Sequence, residues 1–135
     1  MSRQASSRIV AIGIGCRAGA AGEAIAALAR RALEEAGAPE GERRMFTLAA
    51  KADEPGLIEA ARIIGVALMA LPLAALSAQA ERILTPSTAA RARFGAPNIA
   101  EAAALAGAGE GGWLIGPRLA ADGATCAIAL SQERL

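Results

Sequence analysis

Residues 9–28 read "IVAIGIGCRAGAAGEAIAAL", and their first six positions constrain the fold more than any other stretch. Ile9, Val10, Ile12 and Ile14 form a nearly continuous apolar run, the pattern of a strand covered on both faces rather than one. A chain built on such a strand needs a layer of structure on each side of its sheet. The run meets glycines, and a helix follows over residues 20–36. Ile25, Leu28, Ala29, Ala32 and Leu33 recur there at helical spacing, with Arg30, Arg31, Glu34 and Glu35 largely opposite and Gly37 as the stop.

The alternation continues. "APEGERR" over residues 38–44 reads as a polar connection, and "MFTLAA" as a second short strand ending before Lys51. "DEPGLIEAARIIG" predicts a helix with Pro55 in its first turn and Gly65 at its end. "VALMALP" predicts a third strand closed by Pro72, and "LAALSAQAERIL" a helix. After the "TPST" break, "STAARARFG" has room for another helical turn or two. "NIAEAAALAGAG" places Asn98 and Glu101 at capping-box spacing. "GWLIGPRLA" and "ATCAIALS" read as two strands joined by a turn at Asp122–Gly123. The expected architecture is a three-layer α/β/α sandwich with a mostly parallel sheet and an antiparallel C-terminal strand pair at or near an edge. Residues 1–8 are expected to be a flexible N-terminal segment and residues 9–135 a single domain, a size that buries roughly 70% of the unfolded surface.

Composition narrows the function. Alanine supplies 38 residues, and Phe46, Phe94 and Trp113 are the only aromatic rings, so the elements must pack through small side chains and stacking on nucleobases is disfavoured. A net charge of +1 with interspersed Arg and Glu argues against nucleic acid as a partner. The absence of histidine and tyrosine removes Ser-His-Asp and Cys-His catalysis and leaves a zinc site short of ligands, so neither a metal nor a cofactor is expected. Cys16 and Cys126 lack metal-ligand spacing, which favours a reduced, cytoplasmic protein without a disulfide. "MSRQASSR" does not resemble a secretory signal. The charge-free stretch 63–78 contains Gly65 and Pro72 and falls short of the roughly 20 residues that span a bilayer, so no membrane association is expected.

The first glycine-rich turn has the makings of an anion cradle, where backbone N–H groups converge with a helix N-terminus. Gly13, Gly15 and Gly19 read G-x-G-x-x-x-G. That spacing departs from the dinucleotide fingerprint, and no P-loop lysine follows. In a parallel sheet ligands favour the crevice beyond the carboxyl ends of the strands. The turn and "KADEPG" both belong there, bringing Arg17 and Lys51 to one cationic rim.

Four pieces in order, "GIGCRAG", "KADEPGL", "PST" and "NIAEAAAL", followed by a terminal "GATCAIA", resemble the CobE/CbiG C-terminal domain family of cobalamin biosynthesis. The likeness runs over residues 9–130. In the two-part members the family's activity is opening of a lactone in a cobalt-precorrin with loss of acetaldehyde, and further sequence precedes this domain. This chain is similar to the stand-alone CobE type, which the resemblance links to the aerobic route. Ala18 and Ala20 stand where family members often carry a second basic residue and a Ser or Thr.

The resemblance and the rim together imply binding of an anionic corrinoid or precorrin, a tetrapyrrole rich in carboxylates, as carrier or pathway assistant. Other corrin-pathway enzymes are further candidate partners. The expected ligand-binding set is Gly13, Gly15, Cys16, Arg17, Lys51, Glu54, Ser87 and Glu101. Arg17 and Lys51 would meet carboxylates, and Glu54 would orient Lys51 or accept from an amide, helix capping being its other reading. Cys16 is a small core residue or an activated thiolate. Ser87 and Glu101 are explained equally by capping, and Trp113 by packing on the sheet end or on a flat macrocycle. Two alternatives stay open: an enzyme acting on a precorrin in hydrolase-like fashion, with Lys51 and Glu54 in acid/base roles, and a small nucleotide-binding module.

Overall fold

A computed structural model describes residues 8–85 and 98–132. The expected helical turns over 87–95, the N-terminal seven residues, Ser87 and Phe94 lie outside the described residues. The first apolar run is strand β1 (Ile9–Cys16), followed by helix α1 (Gly22–Glu35), strand β2 (Glu42–Leu48) and a single 3-10 turn (Ala49–Lys51). Helix α2 (Pro55–Ile64), strand β3 (Ala67–Leu71), the short helix α3 (Leu73–Ser77) and another 3-10 turn (Ala80–Arg82) come next. Helix α4 (Ile99–Ala108) and strands β4 (Trp113–Leu114), β5 (Leu119–Ala121) and β6 (Ala124–Leu130) complete the chain.

The sheet runs β3-β2-β1-β6-β4, with β5 also paired to β6. β1, β2 and β3 are parallel neighbours, while β6 is antiparallel to β1, β4 and β5. The parallel half is therefore the one built by the β-α-β units. The C-terminal hairpin is the antiparallel half, and its long strand β6 reaches inward to pair along β1 rather than staying at an edge. Ser131 closes that ladder, its hydroxyl accepting from the Ile9 N–H and its own N–H bonding the Ile9 carbonyl.

The two faces of β1 carry different side chains, and this sets the layers. Val10, Ile12 and Ile14 point to one face with Met45, Ile128 and Leu130, where Ile25, Leu28, Leu33 and Leu57 of α1 and α2 cover them. Ala11 points the other way with Ala127 and Ala129, under Ala100, Ala103, Ala104 and Ala108 of α4. Small against small allows that helix to lie very close. A Cβ at Gly13 would sit 2.0 Å from the Ala100 carbonyl oxygen and 2.6 Å from the Ala104 nitrogen, so only glycine fits beneath α4.

Several local expectations shift for physical reasons. β2 begins at Glu42, inside the stretch read as a connection, because Glu42, Arg43 and Arg44 pair with Ile9, Val10 and Ala11 while keeping their side chains at the sheet end. "LAALSAQAERIL" forms only α3 and a 3-10 turn; Leu76 is its one fully buried residue, so little holds a longer helix in place. "GWLIGPRLA" breaks into β4 and β5, since Gly116 takes a positive φ of 73° and Pro117 has no N–H to donate. The Asp122–Gly123 turn is as expected, both residues having positive φ (52° and 81°) as a tight hairpin turn requires.

Candidate functional site

β1 and β2 run parallel, so the connections after them open at the same end of the sheet. The β1 connection is Arg17–Ala21, and its turn glycine is Gly19, with φ 83°. Gly13 and Gly15 lie earlier, within β1, both buried. A Cβ at Gly15 would meet Thr125 Oγ1 at 2.9 Å and Ile99 at 3.3 Å, which makes it, like Gly13, a seat for α4. The sequence places the glycine turn too early because glycines in a central strand and glycines in a turn look alike.

Lys51, Glu54, Cys16 and Gly19 come together. The 3-10 turn after β2 presents Lys51, and Glu54 stands at the N-cap of α2 without capping it. Its carboxylate reaches across to the other connection instead, where Oε2 accepts the Gly19 N–H at 2.9 Å. Oε1 faces Lys51 Nζ at 3.6 Å, and the two side chains are only 16% and 11% exposed. That distance is an ion pair without a hydrogen bond, and the Lys51 side chain makes no hydrogen bond among the described residues. Its ammonium therefore keeps its donors uncommitted.

The helix starts add to this. α1 has Ala21 at its N-cap and no side-chain cap, so its first-turn N–H groups face the same end of the sheet uncapped. α1 and α2 begin side by side. A Cβ on Gly56 would stand 2.1 Å from the Ala20 carbonyl oxygen, and one on Gly22 would run into Glu59.

Cys16 sits beside the ion pair. Burial pushes its thiol above the usual value, Lys51 pulls it down and Glu54 pushes it up again. The net rise keeps the thiol protonated, which weakens the activated-thiolate reading. Cys126 is more extreme, pushed up to about 12 by burial alone. Arg17 is exposed. Its N–H bonds the Gly123 carbonyl at 2.9 Å, and its side chain lies over Gly123, so it leans toward the β5–β6 turn while Lys51 stands on the β2 side.

Glu101 is completely buried, and both of its oxygens are engaged. Oε1 accepts the Leu84 and Thr85 N–H groups at 2.8 and 2.9 Å, and Oε2 accepts the Arg118 N–H at 2.9 Å. Asn98, equally buried, caps α4 by accepting the Glu101 N–H at 3.0 Å and donates Nδ2 to the Thr85 carbonyl at 2.6 Å. The capping-box spacing thus marks the helix start correctly, but the glutamate turns to other strands of chain. Together the two residues hold both backbone polar groups of Thr85, immediately before the "PST" segment and beside the carboxyl end of β1. The clamp made by Asn98 and the bond donated by Gly19 carry no sequence signal that separates them from an ordinary cap and an ordinary turn. Trp113 is 42% exposed at the far end of the sheet, with Arg8 5.3 Å from its ring centre. Two hollows of about 220 and 410 Å³ also lie away from the Lys51 end, one beside Ala32 and Ile128, the other beside Gln79 and Gly109. No helix of the described residues is long and apolar enough to cross a membrane.

Fold and site together define a three-layer α/β protein with a parallel half that gathers an ion pair and two helix starts at its carboxyl end. The family model for the cobalamin synthesis G C-terminus matches residues 10–129, and the chain belongs to that family, a family of cobalamin biosynthesis proteins. It is 38% identical over 119 residues to Protein CobE of a Sinorhizobium species, a match covering 87% of this chain and 77% of that one. A crystal structure of CobE, described as a protein from the cobalamin biosynthetic pathway, superposes with a TM-score of 0.86 at 33% identity, covering 98% of this chain and 97% of that one. The cobalamin biosynthesis protein chiG from Agrobacterium tumefaciens superposes with a TM-score of 0.68 at 37% identity, covering 91% and 98%.

Proposed function

We propose that the protein binds an anionic corrinoid or precorrin intermediate at the carboxyl end of β1 and β2, as a carrier or pathway assistant in the cytoplasmic, aerobic synthesis of cobalamin. One observation carries the reading: Lys51, its side chain mostly buried, holds an ammonium with no hydrogen bond, next to the uncapped start of α1. A carboxylate arriving there gains a charge-assisted hydrogen bond and the favourable end of a helix dipole. The carboxylates around a corrin ring supply such groups at several points, and Arg17, on the β6 side of the same end, suits another. Glu54 is the inner neighbour of Lys51, and Glu101 serves the site by holding Leu84 and Thr85. Gly13 and Gly15 contribute by seating α4 against β1, and Cys16 lies beside the ion pair.

The test is a titration with a corrinoid polycarboxylic acid, followed through the corrin absorbance. Lys51→Ala and Arg17→Ala should each weaken binding roughly ten- to a hundredfold, the cost of one charge-assisted hydrogen bond. Arg30→Ala, on the exposed face of α1, should leave affinity unchanged. Rising salt should weaken the native protein more than the Arg17/Lys51 double variant. Equal affinity of the native protein, both single variants and the Arg30→Ala control overturns this site.

A further inference from the structure

We infer that Glu54 is a built-in competitor, a specificity-determining residue whose carboxylate already occupies the place a ligand carboxylate would take. The inference rests on the binding reading above and concerns the same site. Glu54 stands at the start of α2, where an acidic side chain could turn back to cap its own helix. It does not. It reaches 35 residues back along the chain to the Gly19 N–H and sets its other oxygen 3.6 Å from Lys51. The β1 connection and the α1 start thus already draw a carboxylate, supplied by the protein itself.

A ligand carboxylate that reaches Lys51 and Gly19 must displace Glu54: an ion pair at 3.6 Å and the Gly19 hydrogen bond are lost, a charge-assisted hydrogen bond to Lys51 and the same Gly19 bond are made, and only the closer contact with Lys51 is a local gain. Most of the affinity must then come from groups elsewhere on the ligand. A lone carboxylate gains little by the exchange, whereas a large polycarboxylate with further contacts gains more. Glu54 would thereby exclude small organic acids and admit only multiply anchored ligands.

Removing the competing charge should raise affinity. Glu54→Gln keeps an acceptor for the Gly19 N–H but leaves Lys51 without a counter-charge, so it is expected to lower thermal stability and to bind a corrinoid polycarboxylic acid about tenfold more tightly than the native protein, the scale of one charge-assisted contact. It should also bind citrate measurably where the native protein does not. In Glu54→Ala, the Gly19 amide resonance should leave its native position and return toward it when the corrinoid is added, a readout independent of stability. Unchanged or weaker corrinoid binding by Glu54→Gln, with Lys51→Ala still weakening it, overturns the competitor role and leaves the site standing. Insensitivity to Lys51→Ala as well overturns both.

Discussion

At the scale of single residues, glycine and cysteine carry the sharpest consequences. Gly13 has no room for a methyl group beneath the backbone of α4, whereas Gly37 has open space around it and a φ of 86°. Gly13→Ala should therefore cost on the order of 3 kcal/mol or more, the upper end for forcing a methyl into a packed core. Gly37→Ala should cost only about 1 to 2 kcal/mol, the strain of a left-handed alanine. Urea denaturation of the two variants measures this; equal losses would contradict the packing of α4 on β1. Cys126 gives a pH dependence whose sign is fixed. Its thiol is raised from 9.0 to about 12 in the folded chain by burial, so the unfolded chain ionises first as pH rises. The stability contribution is complete below about pH 9 and is lost as pH climbs toward 12. Native protein should lose stability across that range, and Cys126→Ala should lose less.

At the scale of elements, the Asn98–Glu101 pair is the joint between α4, the Leu84–Thr85 segment and the start of β5. Glu101→Ala leaves three backbone N–H groups without their acceptor and should cost on the order of 3 kcal/mol or more. Glu101→Gln, which keeps the Oε1 bonds to Leu84 and Thr85 but turns an N–H toward that of Arg118, should cost less than alanine. Chemical denaturation separates the two, and near-neutral behaviour of Glu101→Ala would show the clamp to be dispensable. These elements also show what could be read in advance. Helices α1, α2 and α4 were legible because apolar spacing, Pro55, Gly65 and Asn98 act locally. The Asp122–Gly123 hairpin was legible for the same reason. The partner of β6 was not, because strand order depends on which faces pack, and Ala127 and Ala129 look like any small apolar residues until α4 lies over them. The bonds of Glu101 were invisible because they reach residues 16 and 17 positions away in sequence.

At the scale of the whole molecule, the order β3-β2-β1-β6-β4 puts β1 and β6 inside and β3 at an edge. Hydrogen exchange should be slowest in β1 and β6 and faster in β3; fast exchange through Ile12 and Ile14 would contradict the order. Four stretches separated in sequence, ending in Gly19, beginning at Lys51, ending in Thr85 and starting at Asn98, gather at the carboxyl end of the parallel strands. Parallel topology made the first two legible; the other two depend on the packing of α4 and on the long-range bonds of Asn98 and Glu101. The pairing of Lys51 with Glu54 and the lean of Arg17 toward Gly123 are set by side-chain geometry that spacing does not encode. The most direct measurement is a crystal structure with a bound corrinoid polycarboxylic acid. A ligand carboxylate should then lie within hydrogen-bonding distance of Lys51 Nζ and the Gly19 N–H, with Glu54 turned away. A corrinoid seated instead in the hollow beside Ala32 and Ile128, with the Lys51–Glu54 pair undisturbed, would contradict it.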